Sequence, residues 1–361
     1  MSHGECYAVI LAGGRGERFW PMSTAQHPKQ LLSLVGNKPL IAAAVDRLAG
    51  LIPPERVFII TNADLVEPTA TVLPGFPKAN IIGEPFGRDT AAAIALGAVQ
   101  VEARDPQAAF CVLTADHVIG DIPLFQQTLK ESFAMAQARD VLLTIGLKPT
   151  EPSTGFGYIE AGAACAHAGT LAFSAVRRFV EKPDRDTARA YIESGRFFWN
   201  SGMFIWSLAA FNQAVARHRP PLEILMNVLR PQVRAPDFNR VLSEAYGKLD
   251  KISVDYALME KASNIVMVRG EFPWDDVGSW NALECHFPKD DRENVWAGEG
   301  AGVDASQNIA VADHGFVALV GVQNLIVVKA GDAVLVCAKD RAQDVKKMVE
   351  VLKQKGRADL L

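Results

Sequence analysis

The chain has no C-x-x-C pair. Its five cysteines, Cys6, Cys111, Cys165, Cys285 and Cys337, are odd in number and widely spaced. That excludes a disulfide framework or a zinc ribbon and predicts buried, reduced thiols in a cytoplasmic protein. An excess of positive charge is missing too. Lys and Arg total 37 against 41 Asp and Glu, for a formal net charge of −4. This argues against a broad basic face for a nucleic acid polymer, but leaves room for a local basic pocket around one phosphorylated ligand. Long apolar runs are scarce. The longest uncharged stretch, residues 197–216, contains Asn200, Ser201, Asn212 and Gln213 and makes a poor membrane span. Residues 1–10 lack the basic and apolar segments of a secretory signal, and no low-complexity segment or clear repeat is evident.

What is present is ordinary globular composition, 49% hydrophobic and 22% charged over 361 residues, enough for roughly two domains. Apolar runs of strand length at 7–12, 56–61, 110–114, 141–146, 175–181 and 264–268 alternate with helical patterns at 39–48, 90–103, 124–138 and 186–194. Pro39 opens the first helical segment and Gly50 follows its end, a helix signature. The run Phe110-Cys111-Val112-Leu113-Thr114 has little polar alternation, as in a strand buried on both faces. Such alternation predicts an α/β domain with a mixed, mostly parallel sheet and helices on both faces. Ligands on these sheets bind at the carboxyl ends of the strands.

Beyond about residue 290 the pattern changes to short β-like runs at 309–312, 316–320, 325–328 and 333–337. Asp313-His314-Gly315, Gln323-Asn324 and Ala330-Gly331-Asp332 separate them as turns. A closing helix is expected after Asp340 as N-cap, with Val345, Met348, Val349 and Leu352 on one face and Gly356 at its end. Domains are therefore expected at 1–290 and 291–361.

Directly after the first strand comes Gly13-Gly14-Arg15-Gly16-Glu17-Arg18-Phe19-Trp20-Pro21. Glycines there let backbone N–H groups approach phosphates. The loop is not a dinucleotide fingerprint, because Phe19 stands where the third glycine belongs and Pro21 and Pro28 interrupt the helix. It is not a P-loop either, lacking Gly-Lys-Ser/Thr. The stretch from Gly13 to Gly36, with Arg15, Arg18 and Lys29, reads as a nucleotide-phosphate cradle of another kind.

Leu11-Ala12-Gly13-Gly14-x-Gly16-x-Arg18, continuing to Pro28-Lys29-Gln30, resembles the signature of the sugar-phosphate nucleotidyltransferases. Phe19-Trp20-Pro21-x-Ser23 looks like the mannose-1-phosphate guanylyltransferase (GDP-mannose pyrophosphorylase) branch. Further segments fit in order: Glu84-Pro85-x-x-Arg88-Asp89-Thr90-Ala91, Ala115-Asp116-His117, Phe179-Val180-Glu181-Lys182-Pro183 and Trp199-Asn200-Ser201-Gly202-Met203-Phe204. Ser253-Val254-Asp255-Tyr256-Ala257-x-Met259-Glu260-Lys261 and Trp274-x-Asp276-Val277-Gly278-Ser279-Trp280 complete the set. The chain departs from the family pattern in Asp89 for Asn, Ala92 for Pro, Thr114 for Pro and Asp275 for Ser.

The resemblance implies a Rossmann-like (GT-A-like) nucleotidyltransferase domain followed by a small left-handed β-helix-like domain closed by a helix. It implies transfer of GMP from GTP to α-D-mannose 1-phosphate, giving GDP-mannose and pyrophosphate with Mg²⁺, by a homodimer. Arg18 and Lys29 are the implied catalytic cations and Asp116 and Asp276 the implied Mg²⁺ ligands. Leu11, Ala12, Gly13, Gly14, Gly16, Glu84, Arg88, Asp89 and Thr90 would meet the nucleotide. Gly157, Glu181, Lys182 and Asn200 would meet the sugar phosphate. His117 is expected to be structural, and Asp275 competes with its neighbour for the metal role. Another hexose 1-phosphate or nucleotide, or a non-catalytic nucleotide-sugar sensor on the same fold, remain as alternatives. Longer relatives add an isomerase domain, for which the residues after the β-rich segment are too few.

Overall fold

A computed structural model describes residues 4–167 and 169–361. Up to residue 290 the strands are β1 (Cys6–Leu11), β2 (Val57–Asn62), β3 (Ile81–Glu84), β4 (Ala109–Thr114), β5 (Val118–Ile119), β6 (Leu142–Leu147), β7 (Tyr158–Ala164), β8 (Phe173–Val180), β9 (Phe197–Ser207), β10 (Ile265–Gly270) and β11 (Trp274–Asp275). β5 and β11 pair with each other. The other nine form one sheet in the order β3-β2-β1-β4-β9-β6-β10-β8-β7. Only β9 and β8 run against the rest, since both pair antiparallel with their neighbours while β3-β2-β1-β4 and β6-β10 are parallel.

The central strands are β-branched and apolar because both faces are covered. Val9 of β1 lies in register with Phe58 and Val112, and all three are buried. Helices α3 (Thr90–Glu102), α6 (Leu208–His218), α7 (Pro220–Leu229) and α8 (Phe238–Tyr246) cover one face. Helices α1 (Leu40–Asp46), α2 (Val66–Val72), α4 (Ile122–Ala138) and α5 (Arg185–Ser194) cover the other. α3 is buried along its length, and Gly97 lets it lie against the Val9 side chain, where a Cβ would stand 2.5 Å from Val9 Cγ1.

From β1 the chain moves outward to β2 and β3, then returns to lay β4 on β1's other side. The strand order reverses between β1 and β4. The glycine-rich loop follows β1 and Asp116 follows β4, so both stand at this switch point, where open α/β sheets bind ligands.

β12 (Val295–Val303), β13 (Ile309–Val320) and β14 (Leu325–Ala330) stack in parallel, and β15 (Ala333–Ala338) folds back antiparallel. Val295, Ile309 and Ile326 stack in register with no exposure. Asn294 and Asn308 form a buried ladder beside them. The Asn294 Oδ1 accepts from the Asn308 Nδ2 at 2.9 Å, and the Asn308 Oδ1 accepts from the Leu325 N–H at 2.9 Å. Helix α9 (Val345–Gln354) closes the domain.

Several local expectations need correction. The uncharged 197–216 stretch is β9 followed by α6; its apolarity belongs to a strand between two buried neighbours. β3, β7 and β9 gave no strand pattern of their own. Residues 254–262, whose charged pattern by itself suggests a solvated helix, instead form a single π-turn, Asp255–Met259. Residues 309–312 and 316–320 belong to one strand, and Asp313-His314-Gly315 is a bulge across which the β12 pairing jumps. Asp340 sits in a 3₁₀ turn, Lys339–Asp344, so α9 starts later than expected. Met348 faces solvent while Val345, Val349 and Leu352 pack inward. Among the described residues no helix is long and apolar enough to cross a membrane.

The two domains share one apolar cluster. Phe19, Trp20, Val277, Trp280 and Leu283 meet Ile309, Ile326, Val345 and Val349. Trp280 lies edge-to-face on Phe19 at 5.0 Å and donates its indole N–H to the Trp20 carbonyl. The Trp20 indole donates to the Leu360 carbonyl at 2.8 Å, and Lys353 pairs with Glu17 at 2.7 Å. Removing the fully buried Trp280 side chain by Trp280→Ala is expected to cost about 3–5 kcal/mol. Urea unfolding would show the loss as a lower midpoint in signals from both domains.

Candidate active site

The glycine-rich loop is shaped by a close approach. Gly16 has φ +62°, and a Cβ there would run into the Lys29 Cβ. Gly16 thus lets the segment after β1 fold back over Lys29 and start the Glu17–Phe19 turn. Ser23 locks the loop by donating its hydroxyl to the Arg15 carbonyl at 2.7 Å.

Lys29 is only 5% exposed. Its ammonium donates to the Asp116 carboxylate at 3.0 Å and to the Asp276 carbonyl at 2.6 Å. Asp116 and Asp276 are distant in sequence but are brought together by the β5–β11 ribbon, in which Asp275 pairs with Val118 and Trp274 with Ile119. Burial pushes the Asp116 carboxyl up, but the adjacent Lys29 charge and its hydrogen bond outweigh it and hold its pKa below the usual range. Asp276 goes the other way. Burial, with Asp275 and Asp116 as like charges, raises it to about 6 against the pull of Lys29.

Asp275 is occupied elsewhere: His286 meets its Oδ2 at 2.9 Å, and its Oδ1 accepts from the Val277 N–H. His117 is held near pKa 4 chiefly by burial, so it is neutral. Its Nδ1 accepts from the Trp274 indole N–H at 3.1 Å, which makes it a structural neighbour of Asp116. Buried Arg47 donates to the His117 carbonyl at 2.8 Å and fixes this turn.

Lys29, Asp116, Asp276, Arg15 and Arg18 line one cleft of 480 Å³, together with Lys346 from α9. Among the described residues no cluster of three or more His, Cys, Asp or Glu could hold a metal. Two carboxylates facing an open polar cleft suit Mg²⁺, which takes one or two carboxylates and fills its remaining positions with phosphate oxygens and water.

A second cluster is formed by Gly157, Glu181, Lys182 and Asn200. A Cβ on Gly157 would collide with the Glu181 carboxylate. The Asn200 N–H donates to the Gly157 carbonyl, and its Nδ2 donates to Asp255 at 2.8 Å. Lys182 pairs with Glu181 at 2.8 Å. Burial and the Glu181 charge raise Asp255 to about 6. Asp255 belongs to the cluster; in the sequence it looked like one charge on a solvated helix. Phe156 contacts both Trp199 and Trp274, and Trp274 contacts His117, so an aromatic chain links this cluster to the carboxylate pair.

The expected nucleotide residues divide. Gly13 lies against Glu84, which is 4% exposed and has the buried Tyr246 hydroxyl as a neighbour. Burial raises Glu84 to about 7. Leu11 and Ala12 have their backbone groups engaged instead: the Leu11 carbonyl accepts from Ala115, the Ala12 N–H donates to Ile60, and the Ala12 carbonyl accepts from Gln30 and Thr61. Arg88, Asp89 and Thr90 are also committed. Arg88 donates to the Tyr246 carbonyl, Asp89 accepts from the Thr90 N–H, and the Thr90 hydroxyl accepts from the Val254 N–H at 2.9 Å. Thr90 through its hydroxyl, and Arg88 through its carbonyl, which accepts from the Ile252 N–H, tie the start of α3 to the segment leading into Asp255, while Asp89 caps the helix. Arg47 escaped the sequence reading because an Arg at a helix end reads as a partner of the helix dipole.

Two family models match the chain: Nucleotidyl transferase over residues 7–293, and MannoseP isomerase/GMP-like beta-helix domain over residues 298–352. Mannose-1-phosphate guanylyltransferase of Klebsiella pneumoniae is 40% identical over 97% of this chain and 74% of its own length. The protein of the same name from Escherichia coli (strain K12) is 37% identical over 99% of this chain and 75% of its own. The crystal structure of a mannose-1-phosphate geranyltransferase from Thermus thermophilus superposes with a TM-score of 0.85 at 38% identity, covering 97% of this chain and 99% of that one.

Gly16→Ala is expected to destabilise the fold by about 1–3 kcal/mol through the left-handed backbone alone, and further by displacing Lys29; urea midpoints measure it. Glu84 supplies a pH signature. Its folded pKa lies above its ordinary value, so the stability it contributes is fully present below pH 4.5 and lost as pH rises through about 7. Glu84→Gln should remove that dependence, gaining at most about 3 kcal/mol on the wild type between pH 4.5 and 8. Parallel stability curves for the two proteins would contradict it.

Proposed function

The chain belongs to the nucleotidyl transferase family, and from that premise we propose that it is a mannose-1-phosphate guanylyltransferase. It joins GTP and α-D-mannose 1-phosphate into GDP-mannose and releases pyrophosphate. The observation that carries this reading is the meeting of Lys29, Asp116 and Asp276 in one polar cleft at the β1–β4 switch point.

A phosphate oxygen of the sugar 1-phosphate attacks the α-phosphorus in line. The new O–Pα bond forms as the Pα–O bond to pyrophosphate breaks, and pyrophosphate leaves with the electron pair. The attacking oxygen is already anionic, so no general base is required. The protein's task is positioning and charge neutralisation. Lys29, buried and preset by its two hydrogen bonds, meets the α-phosphate. Arg18 at the rim can fork onto phosphate oxygens. The Gly13–Gly14 backbone follows the polyphosphate. Asp116 and Asp276 would hold Mg²⁺, which would supply positive charge to offset that of the phosphates.

Glu84 is assigned to the base. Guanine offers N1–H and N2–H₂ donors, and an ionised carboxylate accepts both. Its buried carboxylate, lying against Gly13 of the glycine-rich loop, supports this reading. Glu181 and Asn200 are assigned to sugar hydroxyls, Gly157 to close contact with the hexose, and Lys182 to the sugar phosphate. Arg88 and Thr90 act by holding the Asp255 segment in place, and Asp89 by capping α3.

We also propose a homodimer formed through the β-helix domain. Phe316, Ala318 and Val320 alternate along one exposed side of β13, with Val303 in register beside Val320. Light scattering is expected to give twice the chain mass, and Val320→Asp is expected to give a monomer; a monomeric wild type contradicts it.

The main test is a panel of nucleoside triphosphates and hexose 1-phosphates with Mg²⁺, read by pyrophosphate release. GTP with mannose 1-phosphate should give the highest kcat/KM, and its ranking among the poorest pairs would sink the assignment. Asp116→Asn and Asp276→Asn should each lower kcat by about 10²-fold or more. Asn200→Ala should raise KM for mannose 1-phosphate while KM for GTP stays put.

A further inference from the structure

The polyphosphate cleft is not built by the first domain alone. Lys346 lines it from α9, the helix that closes the β-helix domain. The placement follows from packing. Val345 and Val349 are buried in the cluster that holds Phe19 and Trp20, and Lys353 is paired with Glu17. The first turn of α9 is thereby pinned beside the Glu17–Phe19 turn, and Lys346, next to buried Val345, faces the cleft.

Its neighbours have local partners. Lys347 pairs with Asp344, Lys339 with Glu284, and Lys353 with Glu17. Among the described residues Lys346 has no ion pair. It also stands in the first turn of a helix, where a cation meets the positive end of the dipole, so local helix stability does not account for it.

The charges of the cleft make the same point. Lys29 is committed to Asp116 and Glu17 to Lys353. Arg15, Arg18 and Lys346 are exposed at the rim without a carboxylate partner among the described residues, above the buried Lys29. An anion that reaches down to Lys29 and also satisfies three rim cations must carry several charges along its length.

We propose that Lys346 contacts the outer phosphates of the nucleoside triphosphate, the part that leaves as pyrophosphate, so that the second domain completes the substrate site of the first. This rests on the nucleotidyltransferase reading. As the Pα–O bond breaks, charge gathers on the departing pyrophosphate, and Lys346 offsets it from the rim of the cleft.

Lys346→Ala tests it in the full chain. The reaction should be run in both directions, with direct calorimetric binding of magnesium pyrophosphate. Lys346→Ala is expected to raise KM for pyrophosphate in the reverse reaction and KM for GTP in the forward one by about tenfold, as for loss of one hydrogen bond to a charged group. KM for mannose 1-phosphate and for GDP-mannose should hold. Lys346→Arg should restore most of the effect, and Lys347→Ala, one position along, should behave as wild type. Wild-type pyrophosphate affinity in Lys346→Ala overturns the proposal, as does an equal loss in Lys347→Ala. If the wild type binds magnesium pyrophosphate through Lys346 but turns over no GTP with mannose 1-phosphate, the substrate assignment has failed and this one stands.

Discussion

One buried ammonium organises the centre of this molecule. Lys29 is almost without exposure, and a cation in that position is tolerated only with strong acceptors around it. It finds two, the Asp116 carboxylate and the Asp276 carbonyl, from segments far apart in the chain. Hydrogen bonds to a charged group contribute about 1.5–3 kcal/mol each, but their larger effect is geometric. They hold the end of β4 and the end of the β11 ribbon at fixed positions around the loop that follows β1. Gly16 is required because only a residue without Cβ lets the loop pass over Lys29.

The same loop links chemistry to domain packing. Phe19 lies 5.7 Å beneath the Lys29 ammonium and edge-on to Trp280. Trp280 belongs to the cluster that also contains the β-helix rungs and α9. The glycine-rich loop therefore sits on an interdomain core and is less free to move than one facing solvent. Two further chains of contact complete the frame. An aromatic series from Trp199 through Phe156 and Trp274 to His117 joins the carboxylate pair to the Gly157–Asn200 cluster. Thr90 and Arg88 join α3 to the segment that delivers Asp255.

Much of this was legible in the sequence. The glycine-rich loop with Lys29, and Asp116 directly after the apolar run 110–114, stood out because local pattern reports local geometry; Asp276 came from motif resemblance alone. The alternation of strands and helices announced the α/β class for the same reason. Motif resemblance brought Glu181, Asn200 and Gly157 into one list, and the structure places their backbones and side chains in contact. Arg88, Asp89 and Thr90 were grouped with the nucleotide because they share a motif with Glu84; what the sequence did not show is that Arg88 also donates to the Tyr246 carbonyl and Thr90 accepts from the Val254 N–H. Asp255 and Arg47 were passed over because a single charge on a presumed helix has no local mark of burial.

The amino-acid sequence by itself determined the class of the fold, the glycine-rich loop after the first strand, and the change of architecture near residue 290. These follow from periodicity, turn chemistry and residue type, which act over a few positions. Only the tertiary structure decided which aspartate of the Asp275–Asp276 pair faces the cleft. Asp275 is drawn to His286 and the Val277 amide, and the β-ribbon pairing leaves Asp276 pointing at the site. Tertiary structure likewise decided that α9 reaches the rim of the cleft. Both outcomes depend on contacts between segments up to hundreds of residues apart, set by burial and strand order, which no local pattern encodes.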